Sequence, residues 1–216
     1  MLHLFIRWLQ RFLDTLQIAI SGGFHRSFAR GIVPDPLPDN ERGGRKRTIK
    51  HALSGANPTN DPDNCIRCVH AWALRRLGYD VVAAPGQYHA SRRPPGMTAA
   101  EYSTRYWRNH GRTPAWHRSD LPDRGLKWLE IRAVMALEPE GSWGFIRMRL
   151  GGKAAHVAAW YIRKGTLLLV DPQSPDSLLE PEMEDSTPGS IRWVNLLGCS
   201  PQQDVFNIAE GKEDAH

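Results

Sequence analysis

The chain has 216 residues, 41% of them hydrophobic and 24% charged, with a formal net charge of +5 and three cysteines. That length suits one domain with decoration and can bury a real core. Two cysteines lie close together and the third is distant, which argues against a disulfide-stapled scaffold, and no apolar run is long enough to span a membrane.

The first twenty residues place Phe5, Leu9, Phe12, Leu16 and Ala19 on one helical face. Arg7, Arg11, Asp14 and Gln17 interrupt the apolar core that a cleavable signal needs. The helix is read as packing on protein, with membrane contact the less favoured use. Gly22-Gly23 ends it. Residues 31–63 are rich in Pro, Asp, Asn, Gly and Arg without periodicity, and read as a linker or wrapping loop. The densest basic run, Arg42 to Lys50, sits among turn formers and reads as solvated chain, so no nucleic-acid partner is expected. The organisation expected is an N-terminal helix and linker over 1–58, a core domain over 59–205 and a polar tail over 206–216.

A helix is expected from Asn64, with Cys65, Val69, Trp72 and Ala73 on one face and Gly78 closing it. Tyr79 to Ala84 reads as a short strand, stopped by Pro85-Gly86. Thr98 and Glu101 form a capping box for a helix to about Asn109. Asp123 can cap a further helix to about Leu137. Strands follow at 143–150, 156–163, 166–171 and 191–197. Lys164-Gly165 makes an antiparallel hairpin of the second and third, with facing residues summing to about 329. Helices first and antiparallel strands afterwards give an α+β pattern.

Cys65, His156 and Asp171 are the chemistry-bearing residues: a thiol, an imidazole and a carboxylate are the parts of a cysteine nucleophile, its base and the group that orients the base. Cys65 follows Asp61-Pro62-Asp63-Asn64, a capping environment, and so lies in a first helical turn, where the dipole favours thiolate. Cys68 lies a turn deeper and reads as a small buried apolar residue. His156 opens one hairpin strand and Asp171 closes the other, on the same side and within diagonal reach. Gln173, and Asn64 beside the thiol, are candidate oxyanion or supporting groups. Trp107, Trp116, Trp143 and Trp160 read as core more than as cleft walls.

The Asn64-Cys65-x-x-Cys68-Val69-x-Ala71 frame, the Arg75-Arg76-Leu77-Gly78-Tyr79-Asp80-Val81 run, His156 and Asp171-Pro172-Gln173 resemble the papain-fold toxin domains of bacterial polymorphic toxin systems. These domains are grouped with protein-glutamine deamidases. The resemblance spans roughly residues 60–200. It implies a papain-like α+β fold, with Cys65 as nucleophile, His156 as base and Asp171 as orienting acid. It also implies a protein substrate in a target cell, a cognate immunity protein, and synthesis in a bacterial cytoplasm followed by export. Only some sixty residues precede the motif, with no large delivery module among them, which leaves the export route open.

The chemistry needs no cofactor or metal. A thiolate would attack a protein Gln carboxamide, release ammonia and form a thioester that water opens to Glu; cysteine protease or transglutaminase-type acyl transfer uses the same parts. A zinc site is a rival reading of Cys65-x-x-Cys68, but Cys199 stands alone and the second ligand pair is missing. A thioredoxin-like redox pair would want a strand leading into Cys65, where Pro, Asp and Asn stand instead. A non-enzymatic interaction module is the third rival.

Overall fold

The computed structural model describes residues 52–53, 55–89, 93–118, 124–149, 155–175 and 191–212. The N-terminal helix, most of the linker and the Asp123 cap lie outside the described residues, as do residues 176–190.

Helix α1 spans Cys65–Leu77. It ends at Gly78 in the left-handed region (φ 106°), whose N–H reaches the Arg75 and Leu74 carbonyls. A side chain at that φ would be strained, so glycine suits the stop. More of α1 is buried than one face supplies: Arg67 through Arg75 are all covered. The reason is that α1 is packed on several sides, by the sheet, by the short helix α2 (Ala99–Thr104) and by the C-terminal helix α4 (Gln203–Glu210).

The Thr98–Glu101 capping box forms in both directions, at 3.2 Å and 2.8 Å. Helix α2 stops at Thr104, short of the expected Asn109. Tyr106 gives its carbonyl to Gln202 N, and Trp107–Arg108 becomes strand β1, paired with β7 (Ser200–Pro201). Long-range pairing overrides the local helical preference there.

The main sheet has five strands in the order β2-β6-β3-β4-β5, every pair antiparallel. These are Trp116–Arg118, Arg192–Asn195, Trp143–Arg149, Ala155–Arg163 and Thr166–Val170 respectively. The α+β expectation holds, and so does the hairpin register: Arg163 faces Thr166 and Ala159 faces Val170, each pair summing to 329. Lys164 (φ 53°) and Gly165 (φ 69°) both take positive φ, the type I′ geometry that suits a two-residue hairpin. Glu140 accepts both of their N–H groups, at 2.9 Å and 3.0 Å.

Strand β4 reads as an unbroken apolar run because both its faces are covered. Val157, Ala159 and Tyr161 join the cluster that holds Trp72, Leu74, Phe145 and Phe206. Ala158, Trp160 and Ile162 join the cluster under helix α3 (Arg124–Ala136), with Trp128, Ile131 and Met135. Each such large side chain contributes about 1.5–3 kcal/mol on burial.

Two sequence expectations are corrected. Residues 79–84 are not a strand. Their burial does alternate, with Tyr79, Val81 and Ala83 inside, but Ala83 N bonds Ala56 O and Ala84 N bonds Ala209 O rather than a strand neighbour. Alternation reports a half-buried extended chain, not a partner. The expected polar tail instead begins with helix α4, which buries Val205, Phe206, Ile208 and Ala209. Phe206 meets Tyr79 edge to face, with ring centroids 4.9 Å apart. The apolar residues are spaced 205, 206, 208 and 209, which is helical, but the segment is short enough to be read as polar chain.

Candidate active site

Cys65 is the first residue of α1 and is half-buried. The turn before it is built by Asp61, whose carboxylate accepts Asp63 N at 2.7 Å and Gly86 N at 2.8 Å. Those two bonds hold the Asp61 carboxyl below its ordinary value. Asn64 occupies the cap position but makes no side-chain cap bond. Its side chain turns inward instead: Nδ2 donates to Asn57 Oδ1 and to Ala84 O, both at 3.1 Å. Its Oδ1 accepts from the Cys68 thiol at 3.0 Å and from Gln173 Nε2 at 3.4 Å. The first-turn N–H groups beside Cys65 are thus not satisfied by Asn64, which keeps their field available to the thiol.

Cys68 is fully buried, and burial pushes its thiol well above the usual range. Such a thiol is protonated and inert. Cys199 is also buried, and burial raises it to about 11.

His156 and Asp171 meet at the mouth of the β4–β5 hairpin. The imidazole Nε2 lies 2.9 Å from Asp171 Oδ2. Asp171 is only 5% exposed, and its other oxygen accepts Gln173 N at 2.9 Å. Burial alone would lower the His156 pKa, yet it stands at about 10. The opposing causes are the Asp171 hydrogen bond, a hydrogen bond with the Cys65 side chain, and the charges of both groups. Nε2 faces the carboxylate, and the Cys65 side chain hydrogen-bonds the same ring. The structure therefore brings Cys65, His156 and Asp171 together.

Gln173 and Asn64 are brought to the same place but aim inward. Gln173 is buried, and its Nε2 donates to Asp61 O at 3.1 Å as well as to Asn64. Asn57 lies in the stretch read as linker, where its sequence context is an Asn-Pro-Thr triplet that Pro bars from glycosylation. It is 7% exposed. Its Nδ2 donates to Gln173 O at 3.0 Å and to Asp61 O at 3.3 Å, and its Oδ1 accepts from Asn64 and Thr59. Asn-Pro-Thr carries a turn signal and nothing more, so no local pattern marked it. Among the described residues no group of three or more His, Cys, Asp or Glu side chains is placed to hold a metal ion.

The family model for papain fold toxin 1, glutamine deamidase, matches residues 63–175, just over half of the chain. The chain belongs to this family. It is a papain-fold glutamine deamidase, a hydrolase acting on protein substrate. The match takes in Cys65, His156, Asp171 and Gln173. No curated protein and no solved structure matches the chain. In this papain-fold deamidase Cys65 opens a helix while His156 and Asp171 lie on one hairpin, so the candidate site is a junction between the helical and sheet layers.

Proposed function

We propose that the chain is the toxin domain of a bacterial effector that converts a glutamine of a target-cell protein to glutamate, with Cys65 as nucleophile, His156 as base and acid, and Asp171 as the group that orients the imidazole. The observation that carries this is the 2.9 Å His156–Asp171 contact, with the Cys65 side chain hydrogen-bonded to the same imidazole.

The imidazolium and the helix start stabilise a thiolate. Its sulfur attacks the glutamine side-chain carbonyl carbon, and the oxygen takes the negative charge. The first-turn N–H groups of α1, left uncapped by the Asn64 side chain, supply the donors for that oxyanion. Asn64 and Gln173, whose amides are bonded within the scaffold, act as supports. The oxyanion collapses, the C–N bond breaks, and His156 gives its proton to the departing ammonia. The thioester that remains is attacked by water, whose proton His156 takes; the glutamate carboxylate leaves and the thiolate returns.

A protein partner follows from the substrate. A cognate immunity protein in the producer, export to a target cell, and an N-terminal segment over 1–58 ahead of the catalytic domain belong to this proposal. So does the reading of the basic N-terminal helix as a protein contact before a membrane contact.

The test is growth of a host expressing the wild-type chain or Cys65→Ala, with intact-mass analysis of host proteins. Toxicity lost in the variant, with about one mass unit gained per modified glutamine, supports deamidation. New cleavage fragments would reassign the chemistry to proteolysis, and amine-linked adducts to acyl transfer. Equal toxicity of the two chains would remove Cys65 from the mechanism.

A further inference from the structure

The catalytic groups come from separate parts of the chain, and something must fix their spacing. The thiol rides on α1; the imidazole and carboxylate ride on the β4–β5 hairpin. Between them lies a buried polar knot of Asn57, Asn64 and Gln173. Asn57 is its centre. Its amide nitrogen holds the main chain of Gln173 at 3.0 Å, and its amide oxygen holds the Asn64 side chain at 3.1 Å. Gln173 N in turn binds Asp171 Oδ1, whose other oxygen binds His156. Asn64 immediately precedes Cys65. One carboxamide is therefore bonded to the residue next to the nucleophile and to the segment that anchors the orienting acid.

We infer that Asn57, a residue outside the matched family region, is a positioning residue that sets the thiol–imidazole separation by tying the start of α1 to the end of β5.

The chemistry of the side chain fits that task. A carboxamide offers donors and an acceptor on one rigid plane at every working pH, and both directions are used here. A carboxylate would lose the donation to Gln173 O and Asp61 O. The short loop from Asn57 to Asn64 is further fixed by Asp61, whose main-chain carbonyl accepts from Asn57 and whose carboxylate holds Asp63 N and Gly86 N. Losing the tie removes the Asn57 donor from the buried Gln173 O, and leaves Asn64 Nδ2 to Ala84 O and Asp61 O to Gln173 Nε2. The effect expected is a loosened pair, not a missing catalytic group.

This inference rests on the proposed roles of Cys65 and His156, so its experiment reads those roles separately. The purified full chain is alkylated with iodoacetamide across a pH range, and modification at Cys65 is followed by peptide mass mapping. A thiolate paired with an imidazolium reacts well below the pH at which a free thiol does, near 8.5. Asn57→Ala is expected to move the alkylation midpoint up by about one pH unit or more, a roughly tenfold loss of rate on the lower limb. The near-ultraviolet spectrum and melting transition should stay those of a folded chain. Should Asn57→Ala fail to fold, Asn57→Ser, which keeps a hydroxyl in the knot, is read in the same way. A folded variant with an unmoved midpoint overturns the positioning role. If His156→Ala leaves the wild-type profile unchanged, the thiol–imidazole pairing itself fails, and the inference with it. A merely structural role would lower the melting temperature without moving the midpoint, and that result also counts against positioning.

Discussion

His156 Nε2 and Asp171 Oδ2 stand 2.9 Å apart across the open end of a hairpin, with the carboxylate nearly sealed from solvent. A buried carboxylate beside an imidazole favours the charged ring, and the ring's pKa of about 10 reflects it against the opposing cost of burial.

That relationship predicts a linked loss of charge and activity in Asp171→Asn. The His156 pKa should fall from about 10 toward 6.5 as the carboxylate's bond and charge are removed. Turnover should fall by about 10²–10⁴, the scale of general acid–base contributions. Ring-proton NMR against pH reads the first and deamidation of a glutamine peptide the second. The stability consequence is cleanest in Cys65→Ala, where no thiol at this site titrates. Asp171 still raises the folded pKa there above the ordinary 6.5. The stabilisation is complete below about pH 6.5 and is lost as pH rises through the folded value. Melting temperature against pH should diverge in that window from Cys65→Ala/His156→Gln; parallel curves would show that no raised pKa exists.

Cys68 should be dispensable for chemistry and useful for stability. It is fully buried and donates to Asn64 Oδ1 at 3.0 Å. Cys68→Ala should keep turnover within about threefold while losing about 1–2 kcal/mol in denaturant titrations, from one hydrogen bond and a small cavity. A catalytic defect as deep as that of Cys65→Ala would move the nucleophile one turn along the helix.

His70 should make the fold sensitive to acid. It is completely buried, stacks near Trp107 and accepts that indole's N–H at Nδ1 over 3.1 Å. Burial lowers its pKa to about 3 from an ordinary 6.5. Below pH 6.5 the unfolded chain takes a proton that the folded chain refuses. The stability it contributes is therefore full above that pH and is lost progressively as pH falls toward 3. His70→Gln should flatten the fall of unfolding free energy across that range while costing stability at neutral pH, as urea titrations at several pH values would reveal.

Gly144 should tolerate no side chain. A Cβ there would collide with the Val194 carbonyl and press on the Trp160 indole. That indole donates to the same carbonyl at 3.2 Å, so neither neighbour can withdraw without losing the bond. Gly144→Ala should lower unfolding free energy by about 1–3 kcal/mol or more, the scale of overpacking in a close-packed core. A melting temperature equal to wild type would mean that β3 and β6 separate more easily than their register suggests.

The sequence by itself determined the α+β class, the α1 start beside Asn64 and its stop at Gly78, the capping box at Thr98, and the register of the β4–β5 hairpin. Each of these is decided within a few residues, by φ restrictions, caps or a two-residue turn, so local chemistry suffices. Only the tertiary structure decided that 79–84 pairs with a loop and a helix end, that 107–108 leaves its helix for Pro201, and that Phe206 belongs to the core. It alone turned Asn64 and Gln173 inward, and it alone made Asn57 the centre of the knot that joins them. Those outcomes depend on partners many residues away, as with Asn57 and Gln173, 116 positions apart, and no local spacing encodes which distant carbonyl will need a donor.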